Sequence, residues 1–269
     1  MKHVLLAMCC CGVVAASGAT TARDAEIVVL LHGLGRTSAS MNALGRALQR
    51  EGFRVVNPGY ASRTKSLESL ATEWLPAELA KLEPAASGAG DIPSADSGEP
   101  PQSAAIDAPS RPRIHFVTHS MGGIIVRLWL RECGVPENLG RVVMLAPPNQ
   151  GSEIADRLQA FAPFRWFTGV NGRRLGTAAD ALPRTLGPWP APHAELGIIA
   201  GSVSLNPLVA SWIPRPNDGK VSVVATHLAG ERDHVVVPAS HTWIARRRQT
   251  IAHVTSFLHQ GRFTQVLAR

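Results

Sequence analysis

Ile114-His115-Phe116-Val117-Thr118-His119-Ser120-Met121-Gly122-Gly123 is the stretch that decides the fold. Its first five residues are mostly β-branched or aromatic and read as a buried strand. The next five make a sharp turn built on small residues, and Ile124 to Arg131 then read as a helix that ends near Gly134 and Pro136. Ser120 is thus expected on a tight bend between a strand and a helix. Gly122 and Gly123 leave room for the two elements to pass closely.

Outward from this turn the same alternation recurs. Glu26-Ile27-Val28-Val29-Leu30-Leu31 is an unbroken apolar run that reads as a buried parallel strand, closed by the glycine-rich loop His32-Gly33-Leu34-Gly35. A helix capped by Thr37 or Ser38 carries Met41, Leu44 and Leu48 at helical spacing and stops at Gly52, before a short strand Phe53-Arg54-Val55-Val56. Leu67, Leu70, Trp74 and Leu79 fit a second helix, bent or broken near Pro76. Arg141-Val142-Val143-Met144-Leu145, Gly197-Ile198-Ile199-Ala200 and His234-Val235-Val236-Val237 are further strands, and a closing helix spans about Ala245 to His259. Strands alternating with helices predict an α/β layered fold with a parallel sheet. From Pro84 to Pro112 the chain turns to Pro, Gly, Ala, Ser and Asp with almost no large apolar residue, which predicts a flexible insertion.

With 45% hydrophobic and 17% charged residues the 269-residue chain can build a core, which excludes general disorder. The net charge of +7 comes mostly from scattered arginines. Arg246-Arg247-Arg248 is the one tight run, and it reads as a solvated helix face; nothing interleaves it with aromatics as a nucleic-acid surface would. Lys2 and His3 precede an apolar stretch from Val4 to Ala16, followed by Ser17, Gly18 and Ala19. This pattern predicts an export signal at 1–19 and a periplasmic or secreted protein, with an uncleaved membrane anchor as the alternative. Cleavage would leave Cys133 as the sole cysteine, unable to form an internal disulfide, and it reads as a plain helix-end residue. No His or Cys spacing suits a metal, no acidic cluster suits calcium, and no cofactor is implied.

A serine standing between a buried strand and a helix, with glycines beside it, has the layout of a nucleophile elbow. Thr118-His119-Ser120-Met121-Gly122-Gly123 resembles the elbow of bacterial α/β-hydrolase lipases and esterases, with Thr118 in place of the first glycine of the family's G-x-S-x-G pattern. The resemblance covers the chain from Glu26 to the C-terminal helix, over a predicted domain at 26–262. Phe164-Arg165-Trp166-Phe167-Thr168-Gly169 and Asn217-Asp218-Gly219-Lys220-Val221 resemble a group of bacterial lipase-like hydrolases, some of them related to deacylases.

The resemblance implies a minimal, mostly parallel sheet flanked by helices, with a small cap at 151–195 between the sixth and seventh strands of the family's layout. It also implies a Ser, acid, His order along the chain. Ser120 is then the nucleophile, and the backbone N–H groups of Leu34 and Met121 are the oxyanion donors. His241, just after the last strand in Pro238-Ala239-Ser240-His241-Thr242, is the expected base. His234 is the rival but opens that strand, while His227, His253 and His259 read as surface or helix residues. Asp218 is the expected acid, at a separation of 241 − 218 = 23 residues from His241 that resembles the spacing in small bacterial lipases. Asp233 and then Asp180 are alternatives, and a plain Asn-Asp-Gly turn is the structural one. Phe161, Phe164, Trp166 and Phe167 either line an apolar pocket under a lid or fill the core of cap helices.

The expected reaction is hydrolysis of a small-molecule or lipid ester with an apolar acyl group, with transient contact to a lipid surface. Amidase, thioesterase or acyltransferase chemistry, and a non-catalytic binding protein on the same fold, are the alternatives.

Overall fold

The computed structural model describes residues 26–82 and 111–264. The expected export signal at 1–19, and all but the last two residues of the expected insertion at 84–112, lie outside them. Six strands form one sheet: β1 (Ile27–Leu31), β2 (Arg54–Val56), β3 (Ile114–His119), β4 (Leu139–Leu145), β5 (Leu196–Gly201) and β6 (Asp233–Val237). Their spatial order is β2-β1-β3-β4-β5-β6 and every neighbouring pair is parallel.

Parallel neighbours need crossovers, and helices on both faces supply them. Helix α1 (Asn42–Arg50) lies on one face with α6 (Arg248–Gln260). Helix α2 (67–80) lies on the other with α3 (Met121–Cys133). The two-residue pleat sorts the strands between them. Ile27, Val29 and Leu31 of β1 pack with Leu70, Leu75, Ile124 and Leu128, whereas Val28 and Leu30 pack with Leu44, Leu48, Val254 and Phe257. Two shorter helices, α4 (Glu153–Leu158) and α5 (Ala162–Thr168), belong to the segment between β4 and β5. From β1 the chain first goes outward to β2 and then returns to the far side of β1 as β3. That reversal opens a crevice at the C-terminal ends of β1 and β3, where ligands of such sheets bind.

Several boundaries differ from the sequence expectation for local reasons. A 3₁₀ turn at Ser38–Met41 precedes α1, and Thr37 makes no side-chain cap; instead the Ser40 hydroxyl donates to the Thr37 carbonyl. The bend assigned to Pro76 is met by a π-helical turn at Leu70–Trp74 just ahead of it, which realigns the helix before a residue that has no N–H to donate. Strand β4 starts at Leu139, where the missing side chain of Gly140 accommodates the buried ring of His115. Helix α3 starts at Met121, so both glycines belong to its first turn. The closing helix is split: extended Arg247 separates a 3₁₀ turn at Ile244–Arg246 from α6. Arg246, Arg247 and Arg248 are exposed, as is Cys133 at the end of α3.

Five histidines are held less basic than in water, each first of all by burial: His32, His115, His119, His234 and His253. His234, where the stacked His227 adds repulsion, is pushed down to about 4. Both ring nitrogens of His253 are buried and, among the described residues, have no hydrogen-bond partner. Below about pH 6.5 the unfolded chain therefore binds more protons than the fold. Stability should be whole above that value and decline toward about 4, the window that His234 sets. Thermal melts across this range should show the midpoint falling on acidification, with a shallower slope in His253→Leu. A midpoint that rises as the solution is acidified would contradict the assignment.

Candidate active site

The turn between β3 and α3 places Ser120 at φ 54° and ψ −122°, a left-handed backbone that costs a non-glycine residue about 1–3 kcal/mol. The surroundings hold it there. Ser120 N–H donates to the Leu145 carbonyl at 2.9 Å, and Gly123 N–H donates to the Ser120 carbonyl at 3.0 Å. A Cβ on Gly122 would stand 2.8 Å from the Leu31 carbonyl oxygen, and one on Gly123 would stand 3.0 Å from Met144 Sδ and 3.3 Å from Thr118 Oγ1. Thr118 fits the slot where a glycine is usual because Gly123 yields the space facing it.

The side chains of Ser120, His241 and Asp218 meet at the crevice. The Ser120 hydroxyl donates to His241 Nε2 at 3.0 Å, and His241 Nδ1–H donates to Asp218 Oδ2 at 2.7 Å. Asp218 Oδ1 accepts from the N–H groups of Lys220 and Val221 at 2.9 and 2.8 Å. His241 N–H donates to the Asp218 carbonyl at 3.1 Å, so the two loops lock to each other through backbone as well. Exposure is 9% for Ser120, 5% for His241 and 2% for Asp218. In the Asn-Asp-Gly turn Asn217 bonds Gly219 N–H and three carbonyls, and Asp218 Oδ1 takes the next two N–H groups, which leaves Oδ2 to face His241.

The other acids and imidazoles lie elsewhere. His234 bonds Thr226 and stacks on His227, which in turn pairs with Glu231. Asp233 accepts from Phe263 N–H, and exposed Asp180 lines a separate cleft. His253 is buried in α6, and His259 sits near Glu51.

The loop after β1 is pressed against the elbow: a Cβ on Gly33 would lie 3.2 Å from Ser120 Cβ. Met121 is the first residue of α3, so its N–H has no partner within the helix. Among the described residues no acceptor bonds Leu34 N–H either. Three residues that the sequence did not single out hold this region. The Tyr60 hydroxyl donates to the His32 carbonyl, and its ring stacks on His32 at 4.0 Å. Ser62 Oγ accepts from Gly35 N–H at 3.1 Å. His119 Nε2–H donates to the His241 carbonyl at 2.9 Å, and burial, followed by the charge of His241, holds its ring neutral.

Helices α4 and α5 with the 3₁₀ segment Gly169–Leu175 roof a cavity of about 390 Å³ above Ser120. Ile154, Leu158, Phe164, Phe167 and Leu175 form its apolar wall. The four aromatics thus divide: Phe164 and Phe167 line the cavity, Phe167 at its half-exposed rim, whereas Phe161 and Trp166 are exposed away from it, Trp166 by 76%. The cap is tied to the domain by buried polar groups. Arg127 of α3 donates to the Asn149 and Gly187 carbonyls, and the Asn171 side chain bonds the Ser62 and Lys65 carbonyls and Leu67 N–H. Among the described residues no three His, Cys, Asp or Glu side chains cluster to hold a metal.

A sequence model described as the alpha/beta hydrolase family matches residues 28–263. The chain is similar in structure to a lipase from Bacillus licheniformis in its mature form, with a TM-score of 0.57 and 15% identity over 83% of this chain and 87% of that one. It is also similar to a phospholipase from Legionella pneumophila, with a TM-score of 0.59 and 16% identity over 87% of this chain, which spans 59% of that protein. A metagenomic carboxyl esterase matches with a TM-score of 0.54 and 16% identity over 91% of this chain and 72% of that one. At these identities the likeness is one of fold. No curated protein matches the chain.

The close approach at Gly122 gives a direct prediction. Gly122→Ala should cost about 1–3 kcal/mol by overpacking against backbone, lowering the melting midpoint by roughly 3–10 °C. Gly59→Ala, whose Cβ would meet only Ser38 Oγ at 3.9 Å, should change the midpoint little. Equal midpoints for the two variants would show that α3 does not depend on the glycine.

Proposed function

The chain belongs to the alpha/beta hydrolase family, and on that premise we propose that it hydrolyses carboxylic esters with Ser120 as nucleophile, His241 as general base and Asp218 as the acid behind it. The observation that carries this reading is the double hydrogen bond of His241, to the Ser120 hydroxyl on one side and the Asp218 carboxylate on the other.

A serine hydroxyl is a weak nucleophile until a base takes its proton as it attacks. His241 Nε2 accepts that proton when Ser120 Oγ bonds to the ester carbonyl carbon. The imidazolium so formed is stabilised by Asp218, which also fixes the tautomer that leaves Nε2 free to accept. The oxygen of the tetrahedral intermediate takes up negative charge next to the N–H groups of Leu34 and Met121, each worth about 3 kcal/mol if it donates there. His241 then protonates the departing alcohol, and a water activated by the same imidazole releases the acid. The apolar wall of the cavity suits an aliphatic or aromatic acyl group.

The lipase and esterase folds that the chain resembles support an ester rather than an amide as substrate, and the N-terminal pattern supports action outside the cytoplasm.

A fluorophosphonate probe should label the purified protein at Ser120 and leave Ser120→Ala unlabelled. Ester hydrolysis should fall about 10⁴-fold in kcat for Asp218→Asn, which would hold the wrong tautomer. Hydrolysis that persists at the native rate in Ser120→Ala would rule the assignment out. A matched amide or thioester cleaved faster than the ester would replace the substrate class and leave the nucleophile standing.

A further inference from the structure

The cavity over Ser120 is apolar along the cap, but its charged lining is one-sided. Arg36 and Lys220 line it, and among the described residues no aspartate or glutamate does. They come from opposite sides of the site. Arg36 follows the glycine-rich loop after β1, and Lys220 follows Asp218 in the loop that carries the acid. Among the described residues neither side chain forms an ion pair or a hydrogen bond; the bonds that Lys220 makes are those of its backbone N–H and carbonyl. Asp218 is the carboxylate that acts on Lys220, and its oxygens are already engaged by His241 and two N–H groups. Both cations reach the catalytic centre electrostatically: after burial and His241, Lys220 and then Arg36 contribute to keeping His119 neutral.

Two cations beside an apolar-walled cavity, neither held in an ion pair among the described residues, disfavour a positively charged ligand and favour an anion. The acyl chain takes the apolar wall, so the anion travels with the other half of the substrate. From this arrangement we propose that the substrate is an ester of an apolar acid whose alcohol part carries a phosphate or carboxylate, and that Arg36 and Lys220 select it. This rests on the ester-hydrolase reading above and specifies the substrate of the same site. The anion is bound and not transformed: the bonds made and broken remain those at the ester carbonyl, and the phosphate or carboxylate leaves with the alcohol.

The test uses the full chain and four octanoyl esters that differ only in the alcohol: glycerol 3-phosphate, glycolate, ethylene glycol and choline, each supplied as monomer. At low salt kcat/KM for the phosphate and carboxylate esters should exceed that for the neutral ester by about ten-fold, the product of two partly solvated charge contacts, and the choline ester should be slowest. Raising the salt to about 0.5 M should shrink the preference toward unity, because a contact of this kind is screened. Lys220→Gln and Arg36→Gln should each lower the anionic-to-neutral ratio about three-fold, and Lys220→Glu should lower it further. Lys220 is exposed, so its variants keep the fold and the ratio stays measurable even if Arg36→Gln does not.

One further arm separates the sources of the anion. Equal rates on monomeric octanoyl glycerol phosphate and on the same ester in vesicles of a diether phosphatidylcholine, which offers no carboxylic ester of its own, support a soluble ester. A rate that rises only with the vesicles supports a lipid headgroup. A neutral ester cleaved as fast as its anionic counterparts, or a ratio that neither glutamine variant moves, overturns the proposal while leaving the hydrolase reading intact. Failure to cleave any ester, together with absent fluorophosphonate labelling of Ser120, overturns both.

Discussion

The carbonyl oxygen of Leu31 lies 2.8 Å from the point where a side chain on Gly122 would begin, and the site is arranged around that closeness. It lets the first turn of α3 come down between the ends of β1 and β3. Ser120 then has to enter the helix through a positive φ, which aims its hydroxyl out of the sheet. The strain is local and of the order of a single mutation's effect, about 1–3 kcal/mol. It is held by a strand register that pairs Leu31 with Thr118 and His119 with Leu145, and by the bond from Ser120 N–H to Leu145. A hydroxyl placed in this way needs only loops from the other strand ends to bring it a base and an acid.

Those loops come from the far side of the sheet. Asp218 follows β5 and His241 follows β6, and both strand ends open toward the crevice because the strands are parallel. Parallel topology therefore gathers side chains more than a hundred residues apart at one edge. Fixing them there takes further contacts. His119 grips the His241 backbone, Asn217 takes over the turn so that Asp218 can face inward, and Tyr60 and Ser62 pin the loop after β1. Burying these polar groups is tolerated because each is paired; among the described residues the orphaned buried atoms include Thr118 Oγ1 beside the elbow and both ring nitrogens of His253 in α6, whose inner face packs on the sheet.

What could be read in the sequence follows from the range of the signals. Apolar runs bounded by glycine turns revealed the strands, since burial on both faces leaves its mark within five or six residues. That Ser120, Asp218 and His241 lie together was legible because each sits in a short turn at a strand end, in the chain order of the resembling family. Met121 as the true start of α3 was missed because helix periodicity shows only where large apolar residues recur, and Gly122 and Gly123 have none. Tyr60, Ser62, His119 and Arg127 were not singled out, since their partners lie 22 to 122 residues away and nothing adjacent in sequence marks them. The π turn at Leu70–Trp74 was half legible: Pro76 announced a disturbance but not its form. Phe164 and Trp166 could not be told apart, because helical phase decides which ring faces the cavity and the helix had no predicted start.

The account's central claim is that one spot in space joins the Ser120 hydroxyl, the His241 imidazole and the N–H groups of Leu34 and Met121. A crystal structure of the covalent phosphonate adduct measures this most directly. The account predicts phosphorus bonded to Ser120 Oγ, one phosphoryl oxygen within about 3 Å of both Leu34 N and Met121 N, and His241 Nε2 facing the remaining substituent. An adduct on another side chain, or one on Ser120 whose phosphoryl oxygen points away from both N–H groups, would contradict it.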